Sequence, residues 1–146
     1  MVIAPGPHAG RHAGPCAGQH VVVTAALVRD DRVLLAHRSP GREFYPGVWD
    51  LPGGHVEPGE EPRGALAREL GEELGIDALV RGEPVGRLLA EDLVMDVWVV
   101  DDWSGAVTNR APDEHDDLLW SDAEDLGRRP LAHPDLAALL QGVLRG

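Results

Sequence analysis

Residues 54–76 read GHVEPGEEPRGALARELGEELGI, and the stretch from Pro62 to Leu74 within them predicts one amphipathic helix. Pro62 suits a first helical turn, where its missing N–H is not needed, and Gly75 suits the C-terminal stop. At about 100° per residue, Leu66, Ala67, Leu70 and Leu74 share an arc roughly 100° wide, the stripe expected of a helix packed on a sheet. Glu69, Glu72 and Glu73 share another arc of about that width, with Glu69 and Glu73 at the repulsive i,i+4 spacing. Glu72 and Glu73 also stand in the last turn, where the helix dipole disfavours anions by roughly 0.3 to 1 kcal/mol each. Two local rules fail together. A divalent cation would turn this liability into a site, because hard Mg²⁺ prefers carboxylate oxygens. The competing reading is a solvated acidic face.

Ahead of the helix, Gly53 and Gly54 allow close backbone approach and can present a carbonyl, and Glu57-Pro58-Gly59-Glu60 predicts a tight turn. Arg68 projects between these parts, where its planar fork can pair with Glu57 or Glu60 and tie loop to helix. Further out, VVVTAALVR from Val21 and RVLLAHR from Arg32 are β-branched and aliphatic runs joined across Asp30-Asp31, which predicts a hairpin. Ser39 to Gly47 reads as a loop and Val48 to Leu51 as a short strand. ALVRGEPVGRLLA and LVMDVWVVDDW read as strands, NRAPDEHDD as a loop, and LLWSDAEDL as a short strand and turn. HPDLAALLQGVL predicts a closing amphipathic helix capped near His133 to Asp135. Strands before and after the first helix point to an α/β fold, a mixed sheet with helices packed on it.

The chain has 146 residues, 43% of them hydrophobic, which suits one domain with one core. A formal charge of -12 repels nucleic-acid polymers and anionic membranes at long range, so a phosphate-bearing substrate needs a metal ion or placed arginines. Cys16 is the single cysteine, which excludes an internal disulfide and a cysteine-based zinc cluster and favours the cytoplasm. No run reaches the ~18 apolar residues of a membrane span, and the first twenty residues lack signal-peptide character. Residues 1–19, rich in Gly, Pro, Ala and His, predict a flexible extension ahead of a domain at 20–146. A metal cluster of His8, His12, Cys16 and His20 is the alternative there.

Gly54, Glu60, Arg68, Glu69, Leu70, Glu72, Glu73, Gly75 and Ile76 fill every fixed position of G-x5-E-x7-R-E-U-x-E-E-x-G-U, U being aliphatic. The segment thereby resembles the Nudix box, over 23 residues. The resemblance implies an α/β/α sandwich with a mixed sheet between helices. It also implies a magnesium-dependent diphosphohydrolase, with Mn²⁺ as a possible substitute, acting on a nucleoside diphosphate linked to another group. Carried over, Glu69, Glu72 and Glu73 are metal ligands or the water-activating base, Glu69 being favoured as base, and the Gly54 carbonyl is a further ligand. Arg68 carries over as the structural tie of this catalytic unit. A later loop supplies another acidic ligand in many members, which here is Asp113 or Glu114, with Glu114 favoured. Arg38 resembles a family arginine that touches substrate phosphate. The tryptophans at 49, 98, 103 and 120 could stack on a base, although core packing is their commoner fate. His37 and His55 read as structural or solvated.

Subgroup marks are mostly missing: Glu91 stands where ADP-ribose-type members place proline, and Leu93 where dinucleoside-polyphosphate types place tyrosine. By elimination the chain resembles the MutT-type group, which removes oxidised or noncanonical nucleoside triphosphates to the monophosphate and diphosphate. ADP-ribose or nucleotide-sugar cleavage remains the alternative within the family. A silent nucleotide-sensing module usually loses box glutamates, and none is lost here. Isoprenoid diphosphate isomerases of this fold carry a core catalytic cysteine, whereas Cys16 lies in the extension. The partner expected is a small nucleotide, and monomer and homodimer both stay open.

Overall fold

The computed structural model describes residues 20–42, 46–91 and 93–146. The expected extension at 1–19, with His8, His12 and Cys16, lies outside the described residues, as does the His20 side chain. β1 (His20–Arg29) and β2 (Arg32–Arg38) form the expected hairpin. Asp30 and Asp31 take φ of 54° and 61° at its turn, the left-handed pair that a tight hairpin needs and that aspartate tolerates.

β1 is the hub of the sheet. It runs parallel to β7 (Leu93–Val100) from His20↔Leu93 to Leu27↔Val100, and β6 (Gly86–Leu89) adds antiparallel beyond β7. On its other side β1 pairs at Val22 to Thr24 with β4 (Gly53–His55), and only its last residues pair with β2. β2 in turn carries β3 (Trp49–Asp50) and β9 (His115–Ser121), both antiparallel. Because successive residues of a strand face opposite ways, β1 feeds two cores. Val23, Ala25 and Leu27 pack with Leu66, Leu70 and Leu74 of α1 (Pro62–Leu74). Ala26 packs on the opposite side with Leu126 of α2 (Ala123–Leu126) and Leu136 and Leu140 of α3 (Leu136–Arg145). Each fully buried leucine is worth about 1.5–3 kcal/mol relative to exposure. The result is the α/β/α sandwich with a mixed sheet, as expected.

α1 has the boundaries expected of it, ending on Gly75 in the left-handed conformation with its N–H donating to the Gly71 carbonyl at 3.1 Å. Its buried stripe contains Ala65, and Ala67 is only partly buried, so the core-facing arc is turned slightly from the expected one. Gly53-Gly54, expected as loop, forms β4. The strand expected at 48–51 contracts to two residues, and the loop expected at 109–117 already turns into β9 at His115. The run at 93–103 breaks at Asp101-Asp102 before β8 (Trp103–Ser104), which pairs with β5 (Asp77–Ala78) as a separate ribbon. At the start of α3, Asp135 makes no side-chain cap; instead its N–H donates to His133 Nδ1 at 3.0 Å. Among the described residues no helix is long and apolar enough to cross a membrane.

Candidate active site

Gly53 sets how closely β4 lies on β1, and Gly54 how closely α1 lies on β4. A Cβ on Gly53 would overlap the Val23 carbonyl, and one on Gly54 would overlap the Glu69 carboxylate. Gly54 therefore lets the Glu69 carboxylate of α1 lie directly on β4. Arg68 then locks the loop in front: its Nε donates to Glu60 Oε2 at 2.6 Å and its Nη2 to Glu60 Oε1 at 3.0 Å and to the His55 carbonyl at 3.1 Å. Glu57 stands 3.9 Å away, and the turn it begins is closed by the Glu60 N–H on the Glu57 carbonyl. Glu60, the stronger of the two expected partners, makes the two-pronged contact characteristic of a guanidinium–carboxylate fork.

The three box glutamates on α1 have different fates. Glu73 is buried; its Oε1 accepts from the Gly53 N–H at 3.4 Å and lies 3.7 Å from His115 Nε2, while Oε2 has no hydrogen-bond partner. Burial first, then the charges of Glu69 and Glu114, push its carboxyl up to about 9. Glu69 is half-buried and also raised, by burial above all, and takes Arg68 Nη1 at 2.8 Å. Glu72 is exposed and holds the same Nη1 at 3.0 Å, outside the cleft that Glu69 lines.

That cleft, of about 210 Å³, draws on separate parts of the chain. Gly53, Gly54, His55 and Glu69 line it together with Arg38, Arg42, Asp50, Glu114 and His115, and Val22, Leu51, Leu93 and Met95 supply apolar lining beside Thr24. Arg38 stands 3.6 Å from Asp50 Oδ2. Asp50 is pushed up to about 6 by burial, against the hydrogen bond from the Leu51 N–H and the charges of Arg38 and Arg42. Glu114 lines the cleft and takes Arg42 Nη1 at 3.4 Å, whereas Asp113 is exposed and does not line it. His115 is buried and held down to about 4 by burial and by Arg42 and Arg38, so it is neutral at pH 7.

Thr24, Arg42, Asp50 and His115 were missed in the sequence. Glu114 was a weak pointer to its neighbour His115; for the others the signal is the fold alone. None of the tryptophans lines the cleft: Trp98 is buried, Trp103 and Trp120 stack at 6.2 Å, and Trp49 packs edge-on to His37. His37 also pairs with Asp116 at 2.6 Å, and His55 stands at the cleft edge.

Among the described residues no three carboxylate or imidazole groups converge at metal-binding spacing as the side chains stand, because Arg68 draws Glu69 and Glu72 to itself. The donor set nevertheless fits a hard cation. A buried carboxyl oxygen without a partner, on a group whose charge is suppressed by burial and then by a neighbouring carboxylate, is what a divalent ion would relieve.

The NUDIX domain family matches residues 18–142. CTP pyrophosphohydrolase of Escherichia coli (strain K12) is 38% identical over 125 residues, spanning 81% of this chain and 87% of that protein. An isopentenyl-diphosphate Delta-isomerase of Cereibacter sphaeroides is 32% identical over 126 residues, spanning 80% of this chain and 71% of that one. The crystal structure of a MutT NUDIX hydrolase from Burkholderia pseudomallei superposes with a TM-score of 0.73 at 36% identity, covering 84% of this chain and 97% of the other. With its sandwich and a complete box over the cleft, the chain belongs to the NUDIX family of hydrolases.

Proposed function

We propose that the protein is a divalent-metal-dependent diphosphohydrolase that cleaves a nucleoside triphosphate to the monophosphate and diphosphate. The observation that carries this reading is one cleft lined by the box residues Gly54 and Glu69 together with Glu114 and two arginines, Arg38 and Arg42. The name of the CTP pyrophosphohydrolase relative supports the triphosphate. Glu69, Glu73, Glu114 and the Gly54 carbonyl would hold Mg²⁺ or Mn²⁺; Glu72 stands outside the cleft, and its place among the ligands rests on the box alone. The bound ion would supply charge neutralisation to the diphosphate and acidity to the attacking water.

Within the cleft, Glu69 takes the proton as water forms its bond to phosphorus and the bridging P–O bond breaks. Arg38 binds a phosphate oxygen and stabilises the departing charge. Arg68 contributes by position: it fixes the turn at Glu57–Glu60 against α1 and so holds Glu69 on Gly54.

Release of phosphate or diphosphate from nucleoside triphosphates, nucleotide sugars and ADP-ribose, with Mg²⁺ and with chelator, tests the reading. Metal-dependent diphosphate release from a triphosphate is expected. Cleavage only of ADP-ribose or nucleotide sugars would move the substrate class, and nucleotide binding without turnover would contradict hydrolysis. The isomerase relative suggests a second outcome, rearrangement with the diphosphate kept. Against it stands Cys16, the chain's single cysteine, which precedes the sheet.

A further inference from the structure

Arg42 lies outside the box, yet it stands on the cleft wall with Arg38, Asp50, Glu114 and His115. Its Nη1 is divided between the Glu114 carbonyl at 3.3 Å and Glu114 Oε1 at 3.4 Å. Ionised pairs of good geometry close to about 2.7–2.9 Å, so both contacts are long. The Glu114 side chain is 50% exposed, which weakens the pair further. Arg42 is also close enough to Arg38 to oppose its charge. Two guanidinium groups thus line one cleft with Glu69 of α1, in a chain of net charge -12. Two cationic groups so placed fit an anion longer than a single phosphate.

Building on the diphosphohydrolase reading, we propose that Arg42 is a second phosphate-binding residue, which gives up Glu114 for a phosphate of the substrate's polyphosphate chain. The guanidinium fork can meet two phosphate oxygens at once, a better partner than one shared Nη1 on a half-exposed carboxylate. Glu114, released by the same movement, is left free for the cation assigned to it. Arrival of the polyphosphate and completion of the acidic ligand set then become one event. A monophosphate, with fewer phosphate oxygens to divide between the two arginines, is held less tightly and leaves.

Inorganic tripolyphosphate is the probe, its affinity measured by calorimetry in Mg²⁺ for wild type, Arg42→Gln, Arg42→Lys, Glu114→Gln and the Arg42→Gln/Glu114→Gln double variant, with thermal melts alongside. Hydrogen bonds to charged groups are worth about 1.5–3 kcal/mol, so Arg42→Gln should weaken binding about 10- to 100-fold without lowering the melting temperature. Arg42→Lys should recover part of the loss. In the bound state Arg42 and Glu114 act on different groups, so the double variant should lose the product of the two single losses. Wild-type affinity in Arg42→Gln would overturn the proposal, as would failure of the wild type to bind tripolyphosphate. A double variant no weaker than either single one would also overturn it, reducing Arg42 to a clamp on Glu114. Tripolyphosphate binding without turnover of any nucleotide would instead contradict the hydrolase reading and leave Arg42 in place.

Discussion

Glu73 sits where a carboxylate is least welcome, buried, beside Glu69 and with one oxygen unpartnered. Its folded-state value of about 9 lies above the ordinary 4.5, so the folded protein holds a proton that the unfolded chain releases. The stability it contributes is therefore full below pH 4.5 and is lost as pH rises towards 9. Glu73→Gln keeps an acceptor for the Gly53 N–H and removes this dependence. Without metal its melting temperature should exceed that of the wild type by a margin that grows from pH 5 to pH 8. A margin that is absent or shrinks with pH would contradict the burial argument. Glu69→Gln should leave the melt nearly unchanged and lower turnover by about 10² to 10⁴, the range for a positioned acid–base group; turnover near wild type would remove Glu69 from the reaction. The box residues were legible because a 3.6-residue period places Glu69, Glu72 and Glu73 on one side of a helix. That period could not say that Glu73 would be buried and Glu72 exposed, since this depends on what the sheet and β9 bring against each.

The join between β4 and α1 gives a contrast between adjacent glycines. At Gly53, which has φ of 150°, an added Cβ meets backbone, the Val23 carbonyl, and nothing nearby can yield cheaply. Gly53→Ala should destabilise by about 1–3 kcal/mol or more, read as a fall in melting temperature. At Gly54 the added Cβ meets the far end of the Glu69 side chain, which can swing away. Gly54→Ala should therefore melt close to wild type while losing metal-dependent activity through displaced Glu69. Equal melting temperatures for the two variants would contradict the assignment of Gly53 to close packing and Gly54 to the site. The elements differed in legibility for the same local reasons. Pro62 and Gly75 punctuate α1, so its limits could be read directly. Gly53-Gly54-His55 has little strand propensity of its own and becomes β4 only through pairing with Val22 to Thr24 of β1, so that a partner distant in sequence makes the strand.

The sandwich gathers α1, the ends of β2 and β9, and the parallel pair β1–β7 around one cleft, and the charge of that cleft links function to the stability of the whole molecule. A ligand that binds only the folded state at 100 times its Kd stabilises by about 2.7 kcal/mol. Mg²⁺ should therefore raise the wild-type melting temperature by several degrees and Glu73→Gln by much less; identical shifts would place the bound ion elsewhere. The α/β class was legible because strands surround a helix in the sequence, and two opposite cores follow from alternation along β1. The rest of the cleft lining was not, because Arg42, Asp50 and His115 lie on three segments whose meeting depends on β2 pairing with both β3 and β9. The most direct test of the account is diphosphate release from a nucleoside triphosphate in Mg²⁺, followed side by side for the wild type and Glu69→Gln. Metal-dependent release by the wild type that falls at least a hundredfold in the variant, within the range for acid–base groups, is the result predicted. Wild-type release that persists in chelator, or that survives the loss of Glu69, would contradict it.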